Sequence, residues 1–591
     1  MPKRSWKSSA NRPSNRAAST AKRVIQGHIE SRLQAAATAV LPEADVSRVL
    51  VRVCTDANHG DFQSNALMGL AKQRQMNPRQ LATDVVARLD VAEWCEPVEI
   101  AGPGFLNFRL RPDAVNVALQ TALASDAPFI TPTATKRTVV VDFSSPNVAK
   151  PMHVGHIRST ILGDSLARIL RLLGHRVVTD NHIGDWGTQF GMLLLGWKTQ
   201  LDEAALAADP IAELERIYKL INGDEALRDA AREELVKLQN GDEENLSIWQ
   251  RMIELSQVQF DHVYSRLAIE FDETLGESFY NPKLAGVVED LISKNIAEES
   301  EGAMAVFFPD NAQLADKPAI VRKSDGAANY TTTDLATLQH RLAEWAPDEI
   351  VYVTDGRQQL HFQQLFSVFR RWQTDAMVRL EHVWFGSILG PDGKPFKTRS
   401  GEVVRLADLL DEAQERAYAV VSEKNAELDE AQRREIARVV GLGALKYADL
   451  SNNRQTDYVF DWDKMLALQG NTAPYLQYAY TRVRSIFRKV DAPNFSNITL
   501  AATAPEELAL AKHLMNFTQT LEMVAEDYRP NFLCNYLFEL AGHFSRFYEA
   551  CPVLKAKEET ERESRLALCE LTSRVLKTGL GVMGIEVTEV M

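Results

Sequence analysis

Cysteine is scarce: Cys54, Cys95, Cys534, Cys551 and Cys569 are the only five in 591 residues, and none forms a CxxC pair or joins a histidine cluster. That spacing offers neither a disulfide framework nor a structural zinc site, and it suits a reducing cytosol. No apolar run approaches the ~18–20 residues needed to span a bilayer, so a membrane protein is set aside. An excess of basic charge is missing as well. The formal charge is -14, which excludes a uniformly basic nucleic-acid binder but leaves room for local basic surfaces on an acidic body. Acidic residues are absent from the first 23 positions, which carry Lys3, Arg4, Lys7, Arg12, Arg16, Lys22 and Arg23 with several serines and alanines. Lacking an apolar h-region, this stretch is no secretory signal. It reads as a disordered basic tail of a cytoplasmic protein, with an organellar transit peptide as the alternative.

What is present is ordinary for soluble globular protein, 45% apolar and 25% charged. The length implies several cores, at roughly 150 residues per domain. From residue 24 to about 132, a helix-like start gives way to strand-like Val49–Val53 and later Val98–Phe108, which predicts a small α+β domain. A linker at Thr131–Thr135 precedes the β-branched run Thr138–Phe143, typical of a buried strand. Then come a loop and apolar residues at helical spacing from Ile157 to Leu173, stopped by Gly174. Arg176–Thr179, Ala303–Phe308, Glu349–Val353 and His382–Phe385 are further buried-strand candidates, and their alternation with helices suits a parallel α/β sheet over residues 133–430. A helical insertion is expected at about 201–301, and an all-α domain from 431 to 591.

A Rossmann-type sheet presents ligands to the C-terminal ends of its strands, where a following helix offers free N–H groups to phosphate. His153 and His156 fall there. Two imidazoles three residues apart, with Gly155 between them, can donate hydrogen bonds to an α-phosphate as it becomes five-coordinate. Four such residues alone equally suit a chance match, a metal site or a helix cap. Likewise, Gly184-Asp185-Trp186-Gly187 by itself is a turn beside a tryptophan, and residues 393–401 by themselves are a solvated glycine-rich turn.

The longer run Ser145-Pro146-Asn147-Val148-Ala149-Lys150-Pro151-Met152-His153-Val154-Gly155-His156, continued by Ile157-Arg158-Ser159-Thr160, resembles the extended first signature of class I arginyl-tRNA synthetases. The block His182 to Gly191 is similar to the same family, and the likeness covers nearly everything after the basic tail. It implies a multidomain α/β architecture: an N-terminal α+β domain (24–132) at the tRNA elbow, a Rossmann-type catalytic domain (133–430) with a helical insertion, and an all-α anticodon-binding domain (431–591). It implies ATP as substrate, magnesium with the ATP, no structural metal, and tRNA(Arg) and L-arginine as partners of a monomer. It also implies that tRNA must be bound before the first step.

Site residues follow position by position. The resemblance implies ATP contacts from His153, Gly155, His156, Gly184, Asp185, Gly187 and Gln189. The usual mobile KMSKS loop is degenerate here, as Lys397-Thr398-Arg399-Ser400. Lys397 and Arg399 remain as cations for pyrophosphate, and Lys150, just before the histidines, occupies the position thought to compensate. Recognising arginine requires acceptors for a guanidinium with five N–H donors. The implied pocket has Asp142, Tyr330, Asp334 and Gln358 toward the side chain, and Ser145, Asn147 and His156 toward the amino-acid backbone. Singly, Asp334 could be a surface or capping acid and Tyr330 a core aromatic; the set carries the expectation, with Asp334 and Asp142 pairing with the side-chain cation. Asn107, Tyr475, Arg482 and Arg484 are the expected RNA contacts, although the aromatics of 475–489 equally suit an amphipathic helix packed inward. Rival readings are a synthetase for another amino acid, a synthetase-like RNA-binding protein without catalysis, and a smaller nucleotidyltransferase. The last leaves the helical C-terminal region unused.

Overall fold

The computed structural model describes residues 25–54, 56–396, 404–490, 495 and 498–591. The basic tail and the cations Lys397 and Arg399 lie outside the described residues. Two compact units form: one from 1–134, 493–518 and 543–571, the other from 135–492, 519–542 and 572–591.

In the first unit, β1 (Arg52–Val53), β2 (Phe62–Ser64), β3 (Glu99–Ala101) and β4 (Phe105–Phe108) make an antiparallel sheet in the order β1-β2-β4-β3. The expected strand 98–108 is in fact a hairpin, broken where Gly102 and Gly104 take φ of 50° and 131°, a conformation that side chains disfavour. The helix Ile25–Val40 buries Ile25, Ile29, Leu33, Ala36 and Ala37, one stripe at helical spacing.

The second unit holds the parallel sheet. Its strands β5 (Thr138–Phe143) and β6 (Arg176–Asp180) are followed in the chain by β7 (Glu298–Ser300), β8 (Ala303–Val306), β9 (Ala319–Arg322), β10 (Glu349–Val353) and β11 (Arg379–His382). The order β11-β10-β5-β6 is parallel throughout. Val139, Val140 and Val141 of β5 are fully buried, as a strand covered on both faces requires. The chain leaves β5 toward β6 on one side and returns to β10 on the other. The crevice outside the ends of β5 and β10 is therefore a topological switch point, where α/β sheets bind ligands.

Two expectations need correction. Ala303–Phe308 does not join the parallel sheet: β8 lies in a separate antiparallel sheet, β7-β8-β9. Glu301 and Gly302 both take positive φ, which closes a tight hairpin between β7 and β8, whereas a parallel neighbour needs a long crossover. The fourth parallel strand is 379–382 rather than 382–385. Its edge residues are half-buried, so an apolar pattern points past them to Val383 and Phe385, which continue the pairing irregularly through Tyr352 O and Thr354 O. Between the sheets, helices Glu203–Ala208, Pro210–Asn222, Arg228–Gln239, Glu243–Arg266 and Asn281–Ser293 fill the stretch expected to be helical. After 404 the described chain is helical apart from the two-residue strand β13 (Tyr458–Val459), paired with β12 (Ile388–Leu389). Among the described residues no helix is long and apolar enough to cross a membrane.

Contact between β5 and the helix Val154–Leu172 sets the depth of the site. A Cβ on Gly163 would lie 2.1 Å from Cγ of buried Phe143. Gly163→Ala should therefore lose more to overpacking, about 1–3 kcal/mol, than the ~1 kcal/mol it gains in helix propensity. Gly286, also helical but with open space around it, serves as the control. Urea unfolding should give a lowered midpoint for Gly163→Ala and an unchanged or raised one for Gly286→Ala.

Candidate functional site

Beyond Phe143 the chain turns through Ser144, Ser145 and Ala149, at φ of 72°, 47° and 61°. Non-glycine residues in that region cost about 1–3 kcal/mol each, so surrounding structure must hold them. It does so through the backbone. The Ser144 N–H donates to Ser159 Oγ, that of Ser145 to Asn181 Oδ1, and that of Ala149 to Ser256 Oγ. Val148 N–H donates to Gly184 O, and Gly184 N–H to Pro146 O, both at 3.0 Å. A Cβ at Gly184 would meet Asn147 Oδ1 at 2.4 Å, so the expected Gly184 and Asn147 do lie together.

That loop delivers the histidines to the N-terminus of the helix Val154–Leu172. His153 is the N-cap, and its Nδ1 accepts from the Gly155 N–H at 3.0 Å. His156 Nδ1 accepts from the His153 N–H, also at 3.0 Å. With both Nδ1 atoms accepting, each neutral ring carries its proton on Nε2. Two N–H donors result, their ring centroids 4.0 Å apart. Burial, followed by the charges of Arg357 and Lys150, holds His153 below the ordinary imidazole value. Burial and then His153 push His156 down to about 3. Gly155 is required because a Cβ there would lie 2.8 Å from the His153 ring.

Cations flank these rings. Lys150 Nζ sits 5.4 Å over the Tyr218 ring. Residues just after the expected phosphate loop pair with the histidine segment: Val154 N–H donates to Val404 O, and Leu406 N–H to Met152 O. Between them, Arg405 meets Asp209 at 3.3 Å and Glu215 at 3.7 Å. Tyr218 and Glu215 lie on the helix Pro210–Asn222, and Asp209 caps it. One helix of the insertion thus engages both cations.

The expected arginine-pocket residues fall into two groups. Asp142, at the end of β5, is buried; its Oδ1 accepts from Ser145 Oγ at 3.1 Å, and its Oδ2 takes Arg341 Nη2 at 2.6 Å. Arg341 also binds Asp180 Oδ2 from Nη2 at 2.7 Å and from Nε at 3.1 Å. One of the Asp142 oxygens is therefore already committed to a guanidinium of the protein itself. Tyr330 and Asp334 form the second group, one turn apart on the helix Tyr330–Trp345. Asp334 Oδ2 meets His361 Nε2 at 2.6 Å, and the Tyr330 ring lies edge-on to His361 at 4.8 Å. Gln358 is exposed, at the start of the helix Gln359–Trp372.

Sequence reasoning missed Glu277, His361 and Arg341. Burial, reinforced by the charges of Asp334 and Asp185 and opposed by His182, pushes the Glu277 carboxyl up to about 7. A carboxyl whose ionisation is suppressed mainly by burial, with other carboxylates nearby, gains from a cation brought beside it. Its only sequence signal is its position one residue beyond Gly276, close to Asp185 in space. Asp185 itself is buried, accepting from the Ser278 N–H at 2.7 Å and Ser278 Oγ at 2.6 Å. Gly187 has φ of 127° with open space at its Cα, and Gln189 begins the helix Gln189–Gln200.

Of the expected RNA contacts, Asn107 is 3% exposed, its Oδ1 accepting from Gln63 Nε2 at 2.8 Å; it shapes the β2–β4 pairing instead of meeting the surface. Tyr475 and Arg482 are half-buried on the helix Ala473–Phe487. Arg484 donates to Glu589 at 3.0 Å, and Tyr480 turns inward to the same carboxylate.

Comparison with known proteins follows the same outline. Residues 118–462 match the family model described as tRNA synthetases class I (R), catalytic domain. Residues 23–110 match the arginyl tRNA synthetase N terminal domain, and 476–591 the DALR anticodon binding domain. The chain is 47% identical over 574 residues to an arginine–tRNA ligase of Chromobacterium violaceum, covering 95% of this chain and 99% of the relative. It is 47% identical over 552 residues to that of Escherichia coli K12, covering 92% and 95%. The solved arginyl-tRNA synthetase of Plasmodium falciparum superposes with a TM-score of 0.82 at 28% identity, covering 96% of this chain and 99% of the other. That of Thermus thermophilus gives 0.81 at 27%, covering 96% and 100%.

A neutral, buried His156 has a measurable consequence. Unfolded, it takes up a proton at the ordinary imidazole value of 6.5; folded, only at about 3. Stability held through this group is therefore lost as pH falls from about 6.5 toward about 3. His156→Gln should flatten that part of the profile, seen as a smaller drop in unfolding midpoint between pH 7 and pH 5 than in the unaltered protein.

Proposed function

The chain belongs to the class I arginyl-tRNA synthetases and makes arginyl-tRNA from arginine, tRNA and ATP, and we propose that it proceeds through an arginyl-adenylate formed at the crevice beside His153 and His156. The observation that carries this reading is the pair of Nε2–H donors set at a helix N-terminus above the switch point of the sheet.

The arginine carboxylate attacks the α-phosphorus of ATP, the new bond forming as the bond to pyrophosphate breaks. Negative charge grows on the α-phosphate oxygens, and the two neutral imidazoles donate to them without having to move a proton. Lys150 is suited to the leaving pyrophosphate, with Lys397 and Arg399 proposed as further cations. Magnesium is proposed to arrive with ATP. The adenylate then passes its arginyl group to the terminal ribose of the tRNA, with bound tRNA proposed as a requirement of the first step.

For the amino acid, Asp334 and Glu277 are proposed to receive the guanidinium, with Tyr330 and Gln358 beside them. The earlier expectation gave Asp142 an equal share. Its bond to Arg341 and its link to Ser145 support a place at the other end of the substrate, where Ser145, Asn147 and the α-ammonium meet. The three family regions are proposed as elbow-binding, catalytic and anticodon-binding domains of a monomeric, cytoplasmic enzyme.

Charging of purified tRNA(Arg) with labelled arginine tests the whole reading. His156→Ala should slow it by about 10²–10³, as loss of one preorganised donor does. In pyrophosphate exchange with saturating tRNA, Asp334→Asn should raise the KM for arginine at least about tenfold and leave that for ATP in place; an unchanged arginine KM would remove Asp334 from the pocket. A further outcome concerns Glu277. Half-protonated near pH 7, it should release up to about half a proton when a guanidinium arrives. Arginine-binding heats in buffers of different ionisation enthalpy measure this, and a net exchange of zero would exclude Glu277 from the pocket.

A further inference from the structure

Three side chains meet at the proposed guanidinium end, and only two of them were expected there. His361, the third residue of the helix Gln359–Trp372, reaches Asp334 Oδ2 with Nε2 at 2.6 Å and lies edge-on to the Tyr330 ring, 4.8 Å away at 72°. An ionised carboxylate only accepts, so Nε2 carries the proton of this bond. The other ring nitrogen, Nδ1, is buried with no hydrogen-bond partner. Nε2 is therefore the atom through which the ring acts on Asp334.

That bond matters because of what it leaves open. Arg341 shows a different arrangement: a permanent cation bonded to Asp142, which cancels much of that carboxylate's charge. The imidazole holds Asp334 through a single N–H donor on one oxygen. With Oδ2 fixed by the ring, Oδ1 is left for a ligand in a defined direction. Tyr330 gains too, since its side chain is otherwise 58% exposed and the edge contact restrains its hydroxyl.

We propose that His361 is the positioning residue of the arginine pocket, a donor that aims Asp334 and Tyr330 at the guanidinium while leaving Asp334 Oδ1 available to it. The proposal rests on the assignment of Asp334 to that guanidinium. It makes His361 a determinant of arginine affinity rather than of ATP handling.

Three variants of the full chain, assayed by pyrophosphate exchange with saturating tRNA, test it. His361→Phe keeps a ring against Tyr330 but removes the donor; it should raise the arginine KM about tenfold or more with little change in the KM for ATP. His361→Gln, whose amide can donate to Asp334, should recover most of the loss, a rescue that a merely space-filling role would not produce. Thermal unfolding confirms that each variant is folded. If folded His361→Phe keeps its arginine KM while Asp334→Asn loses affinity, the positioning role is overturned and the pocket stands. If neither change moves the arginine KM, the pocket assignment falls and this inference with it. Equal rises in the KM for arginine and for ATP in His361→Phe would also overturn it, since the ring would then be acting on the whole site.

Discussion

A guanidinium with no solvent exposure, Arg341, joins Asp142 at the end of β5 to Asp180 at the end of β6, and the substrate end of the site depends on it. Burying three charges is costly, and such a cluster is tolerable only where geometry satisfies them together. Here the helix Tyr330–Trp345 supplies the cation and two adjacent parallel strands supply the anions, with the Tyr352 ring 5.3 Å from the guanidinium carbon. Residues 330, 334 and 341 fall within about 40° of one helix face at 3.6 residues per turn. Fixing Arg341 against the sheet consequently fixes the rotation at which Tyr330 and Asp334 are presented.

Charge in this site is kept where it is useful and removed where it is not. The imidazoles proposed to face phosphate are neutral donors. Asp142 is largely spoken for by Arg341, while Asp334 is held by a single N–H of the His361 ring. Lys150 and Arg405, two of the described cations near the histidine segment, rest against Tyr218 and against Asp209 and Glu215, which belong to or cap a single insertion helix. In the proposed reading, nucleotide would have to draw them from those contacts.

Much of this was legible in the chain. β5, β6 and β10 announce themselves because parallel strands covered on both faces are continuous apolar runs, and the histidine signature sits where a strand feeds a helix. β8 deceives because a short apolar run has no direction; the Glu301-Gly302 turn that makes it antiparallel is a backbone signal. Arg341 was unreadable for another reason. In the run Leu338-Gln339-His340-Arg341 it looks like a helix-surface cation, and the carboxylates that bury it lie 161 and 199 residues away. Glu277 and His361 are similar cases, single polar residues whose meaning comes from neighbours that only the fold supplies. The family likeness pointed to Asp334 but not to the ring that meets it.

The left-handed turn at Ser144, Ser145 and Ala149 places a condition on biosynthesis of the enzyme. Among its backbone partners are Ser159, Asn181, Gly184 and Ser256, which arrive from three later parts of the chain. A ribosome-bound fragment ending before residue 256 would lack one of those acceptors, and its chemistry-bearing loop would have no reason to keep that shape. Activation of an amino acid by a nascent or partly assembled domain is thereby discouraged, and catalytic competence becomes a late sign that the domain has come together.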